Sequence, residues 1–137
     1  MKNAIAKAIE LEGSLDVVIN NAGIGGGGFS EVFSVSQWEK IFDINVFGVQ
    51  RVLKAVLPKM REKKSGLIIN IASVMGRIVL PFAASYTASK WAFEGMTETY
   101  KYELKAAGGG EAPKALNQQL AETQKQILTG FGMEAMV

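Results

Sequence analysis

Tyr86-Thr87-Ala88-Ser89-Lys90 sets a phenol four residues before an ammonium. On a helix that spacing puts both side chains on one face. A free phenol titrates at about 10 and a free ammonium at about 10.4, so neither works alone near neutral pH. An ammonium held against the phenol favours the phenolate and makes the tyrosine a usable proton donor and acceptor. The sequence contains no His and no Cys. That removes the usual neutral-pH base, a thiolate nucleophile and a Cys-based metal site, and leaves proton transfer to Asp, Glu, Lys, Tyr, Ser or Asn. Ser73 lies upstream, where an apolar run ends. A hydroxyl at the carboxyl end of a parallel strand stands where open α/β sheets bind ligands, and there it can hold a carbonyl or alcohol oxygen beside Tyr86. Asn45 falls within Asp43-Ile44-Asn45-Val46-Phe47-Gly48, inside a helical pattern that disfavours Asn, so a buried Asn there calls for a kink, a bound water or a role. Asn20-Asn21-Ala22-Gly23 closes another apolar run. Its paired amides can tie neighbouring segments together, and its small residues let a flat ligand reach the backbone. Taken singly, each of these groups also fits a plainer place: a helix surface, a solvated turn, an exposed helix Asn.

The elements that must position them follow from periodicity. Lys2 to Glu12 repeats Ala, Ile and Leu at helical spacing, with Gly13 where a C-cap glycine belongs. Leu15 to Asn21 and Gly66 to Ala72 are short β-branched runs with apolar residues on consecutive positions, as in strands buried on both faces. Ser34 or Ser36 caps a helix running to about Met60, and a third helix spans about Ala84 to Ala106. Between the second strand and that helix, Ser73 to Phe82 is irregular. The order helix, strand, helix, strand, helix predicts an α/β chain with a parallel sheet. Gly108-Gly109-Gly110 marks a flexible join over 108–112, and Pro113 opens a last helical segment, 113–137.

Composition bounds the rest. A chain of 137 residues, 48% hydrophobic and 20% charged, is one globular domain. Its 15 basic and 13 acidic residues leave a net charge of +2, scattered along the chain. That is too weak a field for a nucleic-acid or membrane surface. The N-terminus shows no signal-peptide pattern, and no stretch approaches the roughly 18 apolar residues of a membrane span, so a cytoplasmic setting is the default expectation. Gly23-Ile24-Gly25-Gly26-Gly27-Gly28 formally satisfies G-x-G-x-x-G. Yet Phe29 to Val35 intervene before any helix, so it lacks the helix N-terminus that such a fingerprint offers to a pyrophosphate.

Together, and in this order and spacing, Asn20-Asn21-Ala22-Gly23, the Asn45 motif, Ser73 and Tyr86-x-x-x-Lys90 resemble the short-chain dehydrogenases/reductases. The resemblance covers Lys2 to about Gly108. It implies a Rossmann-type, doubly wound fold and hydride transfer between NAD or NADP and an alcohol or carbonyl group. By that resemblance Tyr86 is the catalytic acid/base, and Lys90 lowers its pKa and binds the nicotinamide ribose. Ser73 polarises the substrate oxygen and Asn45 holds a water of the proton relay. Asn21, Ala22 and Gly23 lie on the cofactor's adenosine side. Val74, Met75, Ile78, Val79, Leu80 and Phe82 would line the substrate side and suggest an apolar substrate.

The family's T-G-x-x-x-G-x-G unit, its NAD/NADP-selecting residue and the strand expected after Gly108 have no counterpart here. The expectation is therefore a partial Rossmann-type core over 1–107 with its phosphate-binding half missing. An NAD- or NADP-dependent oxidoreductase is the first reading. A non-catalytic module that pairs through the 36–60 and 84–106 helices is the second, and both predict homo-oligomers.

Overall fold

A computed structural model describes residues 2–106. Helix α1, Lys2–Glu12, closes as expected: Gly13 adopts φ +75° and its N–H donates to the Ile9 carbonyl at 2.8 Å. Strand β1, Val17–Asn20, and strand β2, Leu67–Asn70, pair in parallel with Val17 opposite Leu67 and Asn20 opposite Asn70. Both are shorter than the runs that predict them. Beyond the four paired positions the ladder continues only through Leu67 N–H to Asp16 O at 2.8 Å and Ile71 N–H to Asn20 O at 2.9 Å.

The single helix expected over 36–60 is three pieces. Of the two candidate caps, Ser34 is the one used. Its hydroxyl accepts from Gln37 N–H, and Gln37 Oε1 accepts from Ser34 N–H, a reciprocal pair that starts helix α2, Val35–Phe42. A π turn, Asp43–Phe47, follows, with Gly48 N–H reaching back five residues to Asp43 O. Helix α3, Gly48–Lys63, then runs on to a left-handed Lys64 at φ 54°. The kink anticipated at Asn45 is this π turn. Arg51 braces it by binding the Asp43 carboxylate, and that hydrogen bond holds the Asp43 carboxyl below the usual carboxylate range. After β2 a 3-10 turn, Val74–Gly76, leads to helix α4, Ala84–Ala106.

Val18 and Ile68 point from the sheet into the core, where they meet Val49, Leu53, Val56, Leu57 and Met60 of α3 and Phe93 and Leu104 of α4, with Ile5 of α1 packed alongside. All three helices therefore cover one face. Burial of the strands on both faces is not what the described residues show: Val17, Ile19 and Leu67 point the other way and are exposed, Ile19 by 59%. The apolar runs suit a two-sided sheet, and among the described residues only one layer of helices packs on it. Among the described residues no helix is long and apolar enough to cross a membrane, and no cluster of three His, Cys, Asp or Glu could hold a metal ion. The Gly-rich join at 108–112 and the helical segment at 113–137 lie outside the described residues.

The two faces should answer mutation differently. Leu53→Ala should lower the unfolding free energy by about 2–5 kcal/mol. Ile19→Thr on the open face should change it by no more than about 0.5 kcal/mol. Urea unfolding followed by circular dichroism measures both, and equal losses would mean that the outer face is covered.

Candidate active site

Both strands end on a buried asparagine. Asn20 and Asn70 are register partners on the core face, and Asn20 Nδ2 donates to Asn70 Oδ1 at 2.8 Å. Asn70 Nδ2 donates in turn to Thr97 Oγ1 at 3.0 Å, and that hydroxyl donates to Phe93 O at 2.8 Å. The chain of bonds fixes the carboxyl ends of β1 and β2 to the middle of α4. All three side chains are buried, so each bond forms in a low-dielectric interior where an unpaired amide is costly.

Asn45, 1% exposed, sits in the π turn beneath the loop that leaves β1. Its side chain meets Ile24 as a second strand would: Oδ1 accepts from Ile24 N–H and Nδ2 donates to Ile24 O, each at 2.8 Å. Nδ2 also donates to Ser89 Oγ at 2.9 Å, and Ser89 passes its own proton to Tyr86 O at 2.7 Å. The amide expected to hold a water is thus committed to positioning; what it retains for a water is the second lone pair of Oδ1. The same bonds draw Gly23 in. A Cβ on Gly23 would stand 3.3 Å from Asn45 Oδ1 and 3.7 Å from Lys90 Nζ.

Lys90 is buried at the carboxyl end of β2, where Nζ donates to Ile71 O at 3.3 Å, one of its three donors. The ammonium lies 5.1 Å from the Phe93 ring centre and 5.7 Å from that of Tyr86, within reach of the negative ring faces. Tyr86 is half-buried, and its ring lies near the Gly-rich loop: a Cβ on Gly25 would be 3.6 Å from Tyr86 Cδ2. That loop is irregular and leads to a 3-10 turn at Ser30–Val32, so it opens no helix. It is pinned across the site by Gly28 N–H to Phe82 O at 2.8 Å and by the edge-on pair Phe29–Phe82, 5.0 Å between centres. Phe82 takes φ 65°, a left-handed conformation costly for a phenylalanine. Ser73 caps the Val74–Gly76 turn, its Oγ accepting from Met75 N–H at 3.2 Å, and the turn packs on α4. Gly23, Asn45, Lys90 and the Tyr86 ring converge, while Asn21, Ala22 and Gly23 line an exposed edge.

Residues 1–108 match the short chain dehydrogenase family. The chain belongs to that family. It is 40% identical over 104 residues to 3-ketodihydrosphingosine reductase of Bacteroides thetaiotaomicron, covering 76% of this chain and 39% of that protein. To human retinol dehydrogenase 8 it is 43% identical over 94 residues, covering 69% and 30%. Among solved structures, a short chain dehydrogenase/reductase from Burkholderia phymatum in complex with NAD superposes with a TM-score of 0.79 at 34% identity, covering 83% of this chain and 41% of that one. A metagenomic short-chain oxidoreductase in complex with NADP gives 0.74 at 31% identity, covering 78% and 48%. The chain spans less than half the length of each of these relatives. Its two-stranded parallel sheet with flanking helices is the matching part of their Rossmann-type fold.

The sequence motifs missed Asn70, Thr97 and Ser89. A signal for the first existed, since both apolar runs contain Ile-Asn, and two parallel strands of like sequence can set those amides side by side. Ser89 lies inside the Tyr86–Lys90 motif, yet nothing in spacing says that a small hydroxyl there receives Asn45. Asn70→Leu should orphan the Asn20 donor and destabilise the fold by about 1–3 kcal/mol. The double variant Asn20→Leu/Asn70→Leu should recover part of that loss in urea unfolding, because it leaves no donor stranded.

Proposed function

We propose that this chain belongs to an NAD- or NADP-dependent oxidoreductase acting on an alcohol or carbonyl group, with Tyr86 moving the proton. The observation that carries the reading is a buried Lys90 ammonium on the same helical stripe as a half-buried Tyr86, at the carboxyl ends of two parallel strands. That is the side of an open α/β sheet where ligands bind.

The residues present fit the nicotinamide-ribose part of such a cofactor. Gly23 keeps free the space beside Lys90 Nζ that a side chain would fill, and Lys90 and Tyr86 offer an ammonium and a hydroxyl to ribose oxygens. When bound, a nicotinamide cofactor supplies or accepts the hydride. Tyr86 donates its proton to the substrate oxygen in reduction and takes it back in oxidation, and the nearby Lys90 charge stabilises the phenolate left behind. Ser73 holds the same oxygen by its hydroxyl. Asn45 keeps Ile24, and with it Gly23, in place and offers its remaining acceptor to a water of the relay. Asn21, Ala22 and Gly23 form an exposed, small-residue edge for the adenosine side. Of the six apolar residues assigned to the substrate, Ile78 is buried and belongs to packing, while Val79, Leu80 and Phe82 are exposed. They support an apolar substrate, as do relatives named for retinol, an alcohol, and 3-ketodihydrosphingosine, a ketone.

One observation favours a second reading, pairing without catalysis. A groove of about 570 Å³ is lined by Trp38, Val79, Leu80, Ala84, Thr87, Ala88 and Trp91, on a different stripe of α4 from Tyr86 and Lys90. Trp91 is 51% exposed. Self-association through the 36–60 and 84–106 segments would cover it, and a cytoplasmic setting belongs to either reading.

Tyr86→Phe separates the two. Incubated with NADH or NADPH and a panel of apolar ketones, the unaltered chain should oxidise the cofactor, and Tyr86→Phe should lose at least about 100-fold in kcat, the low end of general acid catalysis. The sedimentation profile should stay unchanged. Turnover retained in Tyr86→Phe would overturn the role of the phenol, and no turnover in the unaltered chain would favour the pairing module.

A further inference from the structure

Ser73 reaches its place through a short turn that must be held against α4, and among the described residues its hydroxyl is tied to the Met75 amide within that turn. The turn packs closely on the helix, and two of its residues meet Glu94. Gly76 is buried, and a Cβ there would lie 2.8 Å from Glu94 Cγ and 3.2 Å from Lys90 O, so only a glycine lets the turn come this close. Next to it, Arg77 Nη2 donates to Glu94 Oε2 at 3.2 Å. The two partners differ sharply: the Arg77 side chain is 51% exposed, the Glu94 side chain 9%. A carboxylate is rarely buried to that degree without a specific partner. Glu94 follows Lys90 by four residues and Tyr86 by eight, so it continues the stripe that carries the phenol and the ammonium.

We infer that Glu94 is a positioning residue for the proposed reaction. Through Gly76 and Arg77 it clamps the Ser73 turn onto the helix that presents Tyr86 and Lys90, and so sets the serine hydroxyl relative to the phenol. Glu94 reaches the chemistry through Ser73, and the inference rests on the reading of Ser73 and Tyr86 as partners at one substrate oxygen. Deeper burial alone would call for an apolar residue at position 94. A carboxylate that meets a glycine and a guanidinium from one turn is suited to fixing that turn.

Two readouts test it on the full chain. The first is amide hydrogen exchange, which needs no turnover. Gly76, Arg77 and Ile78 N–H groups are bonded within the turn to Ser73 O or Val74 O. Glu94→Gln should speed their exchange by about tenfold or more while the amides at the centre of α4 keep their rates, since local opening is independent of global unfolding. Arg77→Gln, which breaks the same pair from its exposed side, should act in the same direction without threatening the fold. The second readout is kinetic. Glu94→Gln should lower kcat with KM for NADPH little changed, and in a Ser73→Ala background it should cause no further loss, because residues acting as one unit are non-additive. Unchanged exchange in the turn would overturn the clamp. Faster exchange with losses that multiply in the double variant would overturn action through Ser73. Absence of turnover in the unaltered chain would count against the proposed function alone, with exchange still deciding the clamp.

Discussion

A primary amide buried to 99% has to find partners for every hydrogen, and Asn45 finds them in two segments at once, joining both to its own. Its oxygen and one N–H close on the backbone of Ile24, and its nitrogen also reaches Ser89, which bonds the carbonyl of Tyr86. The loop leaving β1, the π turn and the start of α4 are thereby one bonded unit. Such a network is stable only when complete, because each unpaired member in a low-dielectric interior costs more than a typical bond contributes. The π turn follows from the same constraint. An added residue in the helix ladder re-aims one side chain, and the one re-aimed here is the asparagine that the network requires. Gly23 is the counterpart: a methyl group at 3.3 Å from Asn45 Oδ1 would press on the unit from above.

A second polar chain, Asn20 to Asn70 to Thr97, fixes the strand ends to α4. The first network bonds α4 at Tyr86 and Ser89 and the second at Phe93 and Thr97, so Lys90 lies between the two attachments. The apolar core lies beneath, packed by α1, α3 and α4 on a single sheet face. Position is therefore set by polar bonds near the carboxyl ends of the strands and stability by hydrophobic contact below. The two jobs fall on different residues, so a core truncation and a network truncation should fail in different ways.

Much of this was legible in the residues. The α/β order, the cap at Gly13, a helix start at Ser34 or Ser36 and the Tyr86–Lys90 stripe follow from local periodicity and capping chemistry, which depend on near neighbours. The break at Asn45 was legible as a conflict, a poor helix residue in a helical pattern, and conflicts of that kind mark strained or functional positions. What was not legible depends on distant partners. Spacing cannot say that Asn45 bonds Ile24, that Ser89 closes the link to Tyr86, or that Glu94 meets Gly76. Strand burial was not legible for a related reason: the run Val17-Val18-Ile19 reads as two-sided, but whether a layer covers the second face is set by chain elsewhere. That the glycine run is not followed directly by an α-helix was legible because an adjoining helix is a local feature.

The proposed nicotinamide-ribose site lies at the ends of β1 and β2 beside Lys90. Titration of the purified chain with NADH and with NADPH, followed by nicotinamide fluorescence, tests it most directly. Saturable binding of at least one of them in the micromolar range, about −8 kcal/mol, that weakens markedly in Lys90→Met is the predicted result. No saturable binding of either, or binding that Lys90→Met leaves untouched, would contradict it.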